Sequence, residues 1–495
     1  MRRGTSGKET MLRAQPKGLY LLFFTELWER FGFYALQTIL ILFMTKSLLM
    51  SDKEAYLLYG AFSSLIYFTP VIGGYLADRY IGFQRAIMIG GALFILGYLI
   101  MSLPTKGAFF LGLTLVIIAN GFFKPNVSSV VGDLYAKDDP RRDGGFTIFY
   151  MGINIGALIP PLLTGSIVNN YGWHWGFLLA AFGMTVGMIN FLCARHRLKG
   201  AGGIPEQSPL SKSTKAKIKF YSLCTAGVIL AIAFIHLLFV FPGETVLILV
   251  VGSLIVMCRV IFYLIQQKGL ARRRMTACLF LILISVGFWA IYNQTFTSLM
   301  LFADRNVNKE LFGITIDAEF TQFFNPFFII LFSPIFSKLW SHLGFKGYHI
   351  SIPAKFSLAV VFMAFGYFLL GYGTKYFSHD GEASIWWLIS SYGFQTIGEL
   401  LLSPVGLSMI TTLSPKPLIG MMMGLWFLTQ SAAFAIGGGL ATFANVPEGT
   451  PLLGSLAIYS EAFIVYGLIS LVFALFSIAM IPFLKDLIKD KEAYP

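Results

Sequence analysis

The stretch LYLLFFTELWERFGFYALQTILILFM, residues 19–44, is long and apolar enough to cross a bilayer, yet Glu26, Glu29 and Arg30 fall within one turn of it. A hydrocarbon core of about 30 Å needs roughly 20 mostly apolar residues per helical span. At spacings of i, i+3 and i+4 the three charges project from one helix face, and Phe33, Tyr34 and Gln37 continue that stripe. An ionised group at mid-bilayer costs about 2.5–3.5 kcal/mol on insertion scales, so such residues face the interior of a bundle and act there. The run is too long and too charged for the apolar core of a cleaved secretory signal, and it is expected to remain as the first membrane span.

Outward from this stretch, the pattern repeats. Of 495 residues 56% are hydrophobic and 12% charged, whereas about a quarter are charged in soluble domains. Fourteen spans are predicted, beginning near Leu19, Ala55, Gln84, Ala108, Gly145, Trp173, Phe220, Glu244, Ala277, Phe320, Ile350, Ala383, Ile419 and Ala457. The fold class is therefore an all-α integral membrane protein. The net charge of +13 invites a nucleic-acid reading, but most of the 37 lysines and arginines fall on one side of the fourteen-span arrangement. They cluster in the N-terminal tail, at Lys137–Arg142, Arg195–Lys219 and Lys268–Arg274, and in the C-terminal tail. By the positive-inside rule both termini are expected in the cytoplasm, and no nucleic-acid partner is expected.

The polar stretch after the sixth span, with Gly200-Ala-Gly-Gly203 and Ser211-Lys-Ser-Thr-Lys215, reads as a linker. The expected order is a tail (1–18), six spans (19–198), the linker (199–219), two additional spans (220–267), six more spans (268–486) and a tail (487–495). Two related halves are suggested by an echo: TPVIGGYLADRYIGF from Thr69 is matched loosely by SPIFSKLWSHLGF from Ser333. Paired repeats of this kind are the mark of rocking transporters. Pro70, Pro125, Pro160, Pro161, Pro326 and Pro404 lie within spans and are expected to kink helices and free carbonyls, which lipid tolerates only beside protein or a water-filled cavity.

An arginine pairing with one glutamate could simply fix helix packing, but it would leave a second carboxylate beside a satisfied pair. Removal from water and a like charge both disfavour ionisation, so that second acid, Glu26 or Glu29, is assigned the coupling proton. Lys124, in Asn120-Gly-Phe-Phe-Lys124-Pro-Asn, lies too deep in the fourth span to reach either interface and is expected in a polar cavity. There it could pair with a helix 1 acid or with a substrate carboxylate. Glu399 could hold a substrate ammonium, so the two halves offer opposite charges suited to a zwitterion with separated ends. Free peptides are such molecules. His174, His236 and Arg259 read as interfacial, structural or snorkelling residues. Asp78 and Arg79 close a short loop and are expected to latch helix ends. Cys193, Cys224, Cys258 and Cys278 show neither a paired spacing nor a histidine grouping, so no disulfide and no metal is expected. With no nucleophile–base set or phosphate loop, an enzyme is not expected.

At these residues the sequence resembles the proton-dependent oligopeptide transporter family of the major facilitator superfamily. Glu26-Leu-Trp-Glu29-Arg30-Phe-Gly-Phe33-Tyr34 is similar to its ExxERFxYY motif, Gly73–Gly82 to its GGxLADRxxG loop, and Phe149-Tyr-Met-Gly-Ile-Asn154-Ile-Gly156-Ala to its fifth-helix signature. The resemblance implies two six-helix bundles plus two extra helices, a bacterial cytoplasmic membrane, a functional monomer, and di- or tripeptide and proton symport without a cofactor. It also implies a pocket drawing on Tyr34, Tyr67, Lys124, Asn154, Asn325, Glu399 and Trp426. Three positions depart from the family pattern: Phe33 stands for a tyrosine, Gln37 for a common arginine, and Asn293, in Phe288-Trp-Ala-Ile-Tyr-Asn293-Gln, for a glutamate. The pocket has thereby lost one cation and one anion. These departures leave open another small solute on the same scaffold, such as an amino acid, nitrate or a glycoside, or a peptide receptor that does not transport.

Overall fold

The computed structural model describes residues 15–489, apart from 137–138, 140, 206–207, 209–213, 349 and 416–417. The expected terminal tails before Gln15 and after Lys489, parts of the linker and of the Lys137–Arg142 loop, and the Cys224 side chain lie outside that description.

The chain folds as helix after helix: α1 Lys17–Lys46, α2 Asp52–Leu76, α3 Phe83–Met101, α4 Lys106–Asp133, α5 Arg142–Leu158, α6 Pro160–Tyr171, α7 Trp173–Ala194, α8 Thr214–Val240 and α9 Pro242–Gln266. There follow α10 Gly269–Tyr292, α11 Ser298–Arg305, α12 Phe324–Phe345, α13 Ile352–Tyr376, α14 Ile385–Leu413, α15 Ile419–Ala441 and α16 Leu452–Ile488. Helices α5 and α6 form one span, as do α10 and α11, so the described residues give the fourteen spans expected. By length and composition alone eleven are apolar enough to cross a membrane. Lys17–Lys46 is not among them because Glu26, Glu29 and Arg30 lower its hydropathy. The largest displacement is at α10, which starts at Gly269 rather than near Ala277, because the basic turn Arg272–Arg274 is helical although it is not apolar.

The span prolines fall at two kinds of position. Pro70, Pro125 and Pro404 lie inside α2, α4 and α14, and the Pro160–Pro161 pair starts a new helix after Ile159. Pro326 is different: it falls in the first turn of α12, where no intrahelical N–H is needed. Pro334, in the echoed segment, lies inside α12 as Pro70 lies inside α2.

Two compact units result. One comprises the chain up to Ile39 with Phe68–Val240, the other Leu40–Tyr67 with Phe241 onward. In the first unit, α3 packs along α4 and α7, and α8 lies against α4. In the second, α13 packs against α14 and α16, and α9 and α10 against α15. That unit also carries short strands: Val307–Asn308 pairs in parallel with Ala383–Ser384, and Glu310–Leu311 forms a hairpin with Ile314–Thr315. Outward-facing side chains are apolar, among them Leu230 at 70% exposure, Leu247 at 63% and Val472 at 65%. A surface of this kind is stable against lipid rather than water.

Candidate functional site

Arg30 is the centre of a buried cluster on α1. Its Nε donates to Glu29 Oε2 at 2.5 Å and its Nη2 to Glu29 Oε1, a two-pronged pair. The same guanidinium lies 3.6 Å from Glu26 Oε1. All three residues are at most 4% exposed, and Glu26 Oε2 is buried without a hydrogen-bond partner. The two acids are thus unequal: Glu29 has both oxygens engaged and Glu26 has one oxygen free. Phe33 presents its ring face to Arg30 at 4.8 Å, a cation–π contact made by a ring that lacks the hydroxyl of tyrosine.

Small residues set α1 in place. Added Cβ atoms on Gly152 and Gly156 of α5 would meet Phe23 at 2.9 Å and the Leu27 carbonyl oxygen at 2.3 Å, respectively. Glycines four apart lie on one helix face and let two backbones approach, which gives the fifth-helix signature a mechanical meaning. Asn154, between them in sequence, is buried and donates to the Tyr150 carbonyl. On α7, Gly183 and Gly187 admit Phe31 and Trp28 in the same way.

Lys124 is half-buried on α4 and lies within electrostatic reach of Arg30, Glu29 and Glu26. Its helix is anchored to α2 where a Cβ on Gly73 would lie 2.0 Å from the Gly121 carbonyl oxygen, and Thr69 donates to the Ile117 carbonyl at 2.9 Å. Pro125 lacks the N–H that would otherwise bond that Gly121 carbonyl. The first unit therefore brings together three of the predicted charges and Lys124, with Tyr34 and Gln37 half-buried on the same helix as the acids.

In the second unit Glu399 is half-buried, and its Oε2 accepts from Tyr292 Oη and from Asn325 Nδ2, each at 2.9 Å. Asn325 also donates to Thr396. An aromatic run leads away from this acid: Tyr292 packs edge-on against Trp289, Trp289 stacks on Phe434, and Phe434 stacks on Tyr67 at 4.7 Å. Trp426 is buried, filling the space a Cβ on Gly406 would need. Asn293 is fully buried, and neither polar atom of its amide has a partner. Its side chain lies where a Cβ on Gly437 would be, within 2.8 Å.

Asp78 and Arg79 lie exposed in a π-helical turn, Ala77–Ile81, that ends α2. Arg79 donates to Tyr75 Oη at 3.2 Å. The following Gly82, at φ +81°, abuts the Gly203 backbone, where a Cβ would lie 2.6 Å from the Gly203 oxygen. Sequence reasoning missed a further ion pair: Arg305 donates to both oxygens of Asp52, at 2.6 and 2.8 Å, and Val446 N–H donates to the same carboxylate. Both residues lie near span ends, where charges are commonplace, and their pairing has no sequence signal.

A family model described as the POT family matches residues 84–458. The dipeptide and tripeptide permease A of Proteus mirabilis is 36% identical over 480 residues, covering 96% of each chain. A variant of the peptide transporter POT in complex with alafosfalin superposes with a TM-score of 0.83 at 34% identity, covering 99% of this chain and 97% of that one. A POT family transporter in complex with 5-aminolevulinic acid gives 0.82 at 31% identity, over 95% and 97%.

Proposed function

The chain belongs to the POT family, with an all-α membrane fold of major facilitator type, and from that premise we propose that it imports di- and tripeptides with protons by alternating access. The observation that carries the coupling is Glu26, a buried acid that shares an arginine already engaged by Glu29 and keeps one oxygen without a partner. Glu26 takes the proton, and Glu29 and Arg30 hold it in place. Lys124, within reach of the same charges, receives the peptide carboxylate, and Glu399 receives its ammonium. The first unit also offers Tyr34, Gln37 and Asn154 to the substrate, and the second Tyr67, Asn325, Trp426 and the uncharged Asn293. Asp78 and Arg79 serve as the gating loop. The protein works as a monomer in a bacterial cytoplasmic membrane with both termini inside, where most of its basic residues fall.

One proton moving through about 150 mV with a small pH gradient supplies on the order of 4 kcal/mol, enough for roughly thousandfold accumulation. One proton per peptide therefore suffices. The relative that holds 5-aminolevulinic acid favours a second reading, in which the same pocket takes another small amino-bearing acid. Competition separates them: uptake of labelled dialanine into liposomes is expected to be suppressed by unlabelled di- and tripeptides and not by single amino acids, 5-aminolevulinic acid or nitrate. Suppression by the latter set alone would overturn the peptide reading.

A further inference from the structure

The 3-10 helix Ala318–Phe323 that leads into α12 buries Glu319, Thr321 and Gln322. Glu319 is 5% exposed, and among the described residues no cation stands within ion-pair distance of it. The charged groups that reach it are Asp317 from its own loop, Asp304 of α11 and Lys46 at the end of α1. Lys46 is already committed, donating to Asp304 at 2.6 Å. A buried carboxyl with no cation of its own is unfavourable to keep ionised unless its proton is part of what it does.

Gln322 follows one turn later, and residues three apart share a face of a 3-10 helix. Its Nε2 donates to the Thr295 carbonyl at 2.6 Å and to Tyr392 Oη at 3.4 Å. Thr295 donates to Gln395 Oε1 at 3.1 Å, beside Thr396, which accepts from Asn325 at 3.0 Å. Asn325 in turn donates to Glu399. Buried polar side chains thus form two hydrogen-bonded groups in the second unit, one around Gln322 on the same 3-10 helix as Glu319 and one around Glu399. Asn293, two residues before Thr295, stands where the family resemblance leads one to expect an acid.

Resting on the peptide-symport reading, we propose that Glu319 is a second proton-binding carboxyl of the transport cycle. A carboxyl on the segment leading into α12 thereby stands in for the one absent at position 293. Binding adds one proton to a Glu319 oxygen and release returns it to water, with no other bond changed.

The test uses the full-length protein in liposomes as wild type, Glu319→Gln and Glu319→Asp. Each is measured for gradient-driven accumulation of labelled dialanine across a pH series and for dialanine counterflow without a gradient. Loss of one coupled proton is expected to lower accumulation by roughly a thousandfold under the gradient given above. Glu319→Gln should therefore keep counterflow, lose accumulation and flatten the pH profile, and Glu319→Asp should restore all three. Unchanged accumulation and pH profile in Glu319→Gln would overturn the proposal, and so would equal loss of counterflow in both variants, which marks a structural residue. Proton uptake by the purified proteins over the same pH series, one proton smaller in Glu319→Gln, tests Glu319 even if the wild type moves no peptide; an equal proton count would overturn the proposal.

Discussion

Glu26 and Glu29 compete for one guanidinium, and their unequal shares lead to different consequences on mutation. Glu29→Gln breaks the two-pronged pair with Arg30 inside the protein and should destabilise the chain by about 3 kcal/mol, read as a lower melting temperature in detergent. Glu26→Gln removes the more weakly held partner, so the fold should stand and counterflow persist, while gradient-driven dipeptide accumulation falls roughly a thousandfold. Lys124→Ala is expected to abolish uptake of unmodified dipeptides and to affect amidated dipeptides far less, since those lack the carboxylate; equal loss for both would remove Lys124 from the carboxylate role. The spacing of Glu26, Glu29 and Arg30 made this cluster legible in the sequence, because i, i+3 and i+4 fix a shared face. Which acid holds the arginine was not legible, because that depends on rotamers set by α5 and α7.

Helix contacts account for the motifs that carry no charge. Gly156→Leu places a side chain against the Leu27 backbone and should lower stability by about 1–3 kcal/mol, measured by thermal unfolding. Gly107→Leu, where a Cβ meets nothing within 4 Å, serves as the control. Arg305→Ala leaves Asp52 buried at 4% exposure without its cation. Because Arg305 itself is 30% exposed along its side chain, the expected loss is discounted to about 2 kcal/mol. Span positions were readable from apolar runs. The break at Ile159 was only half readable from Pro160 and Pro161, and the basic helical turns that lengthen α10 were not, since hydropathy marks where lipid begins and not where helix begins. Glu319 was passed over for a related reason: it opens a span, where an acid ordinarily meets water, and only the packing around the 3-10 helix takes it out of solvent.

For the whole molecule, the sequence already carried the fourteen-span order and the placement of charge in both halves. The aromatic run from Tyr67 to Tyr292 joins residues from distant parts of the chain, and no local pattern announces it. The central claim is that peptide and proton enter together. It is tested most directly by recording internal pH in liposomes held at a negative inside potential, with a trapped dye, when dialanine is added outside. The account predicts acidification that requires dialanine, saturates with its concentration and disappears in Glu26→Gln. Entry of labelled dialanine with no accompanying acidification would contradict it.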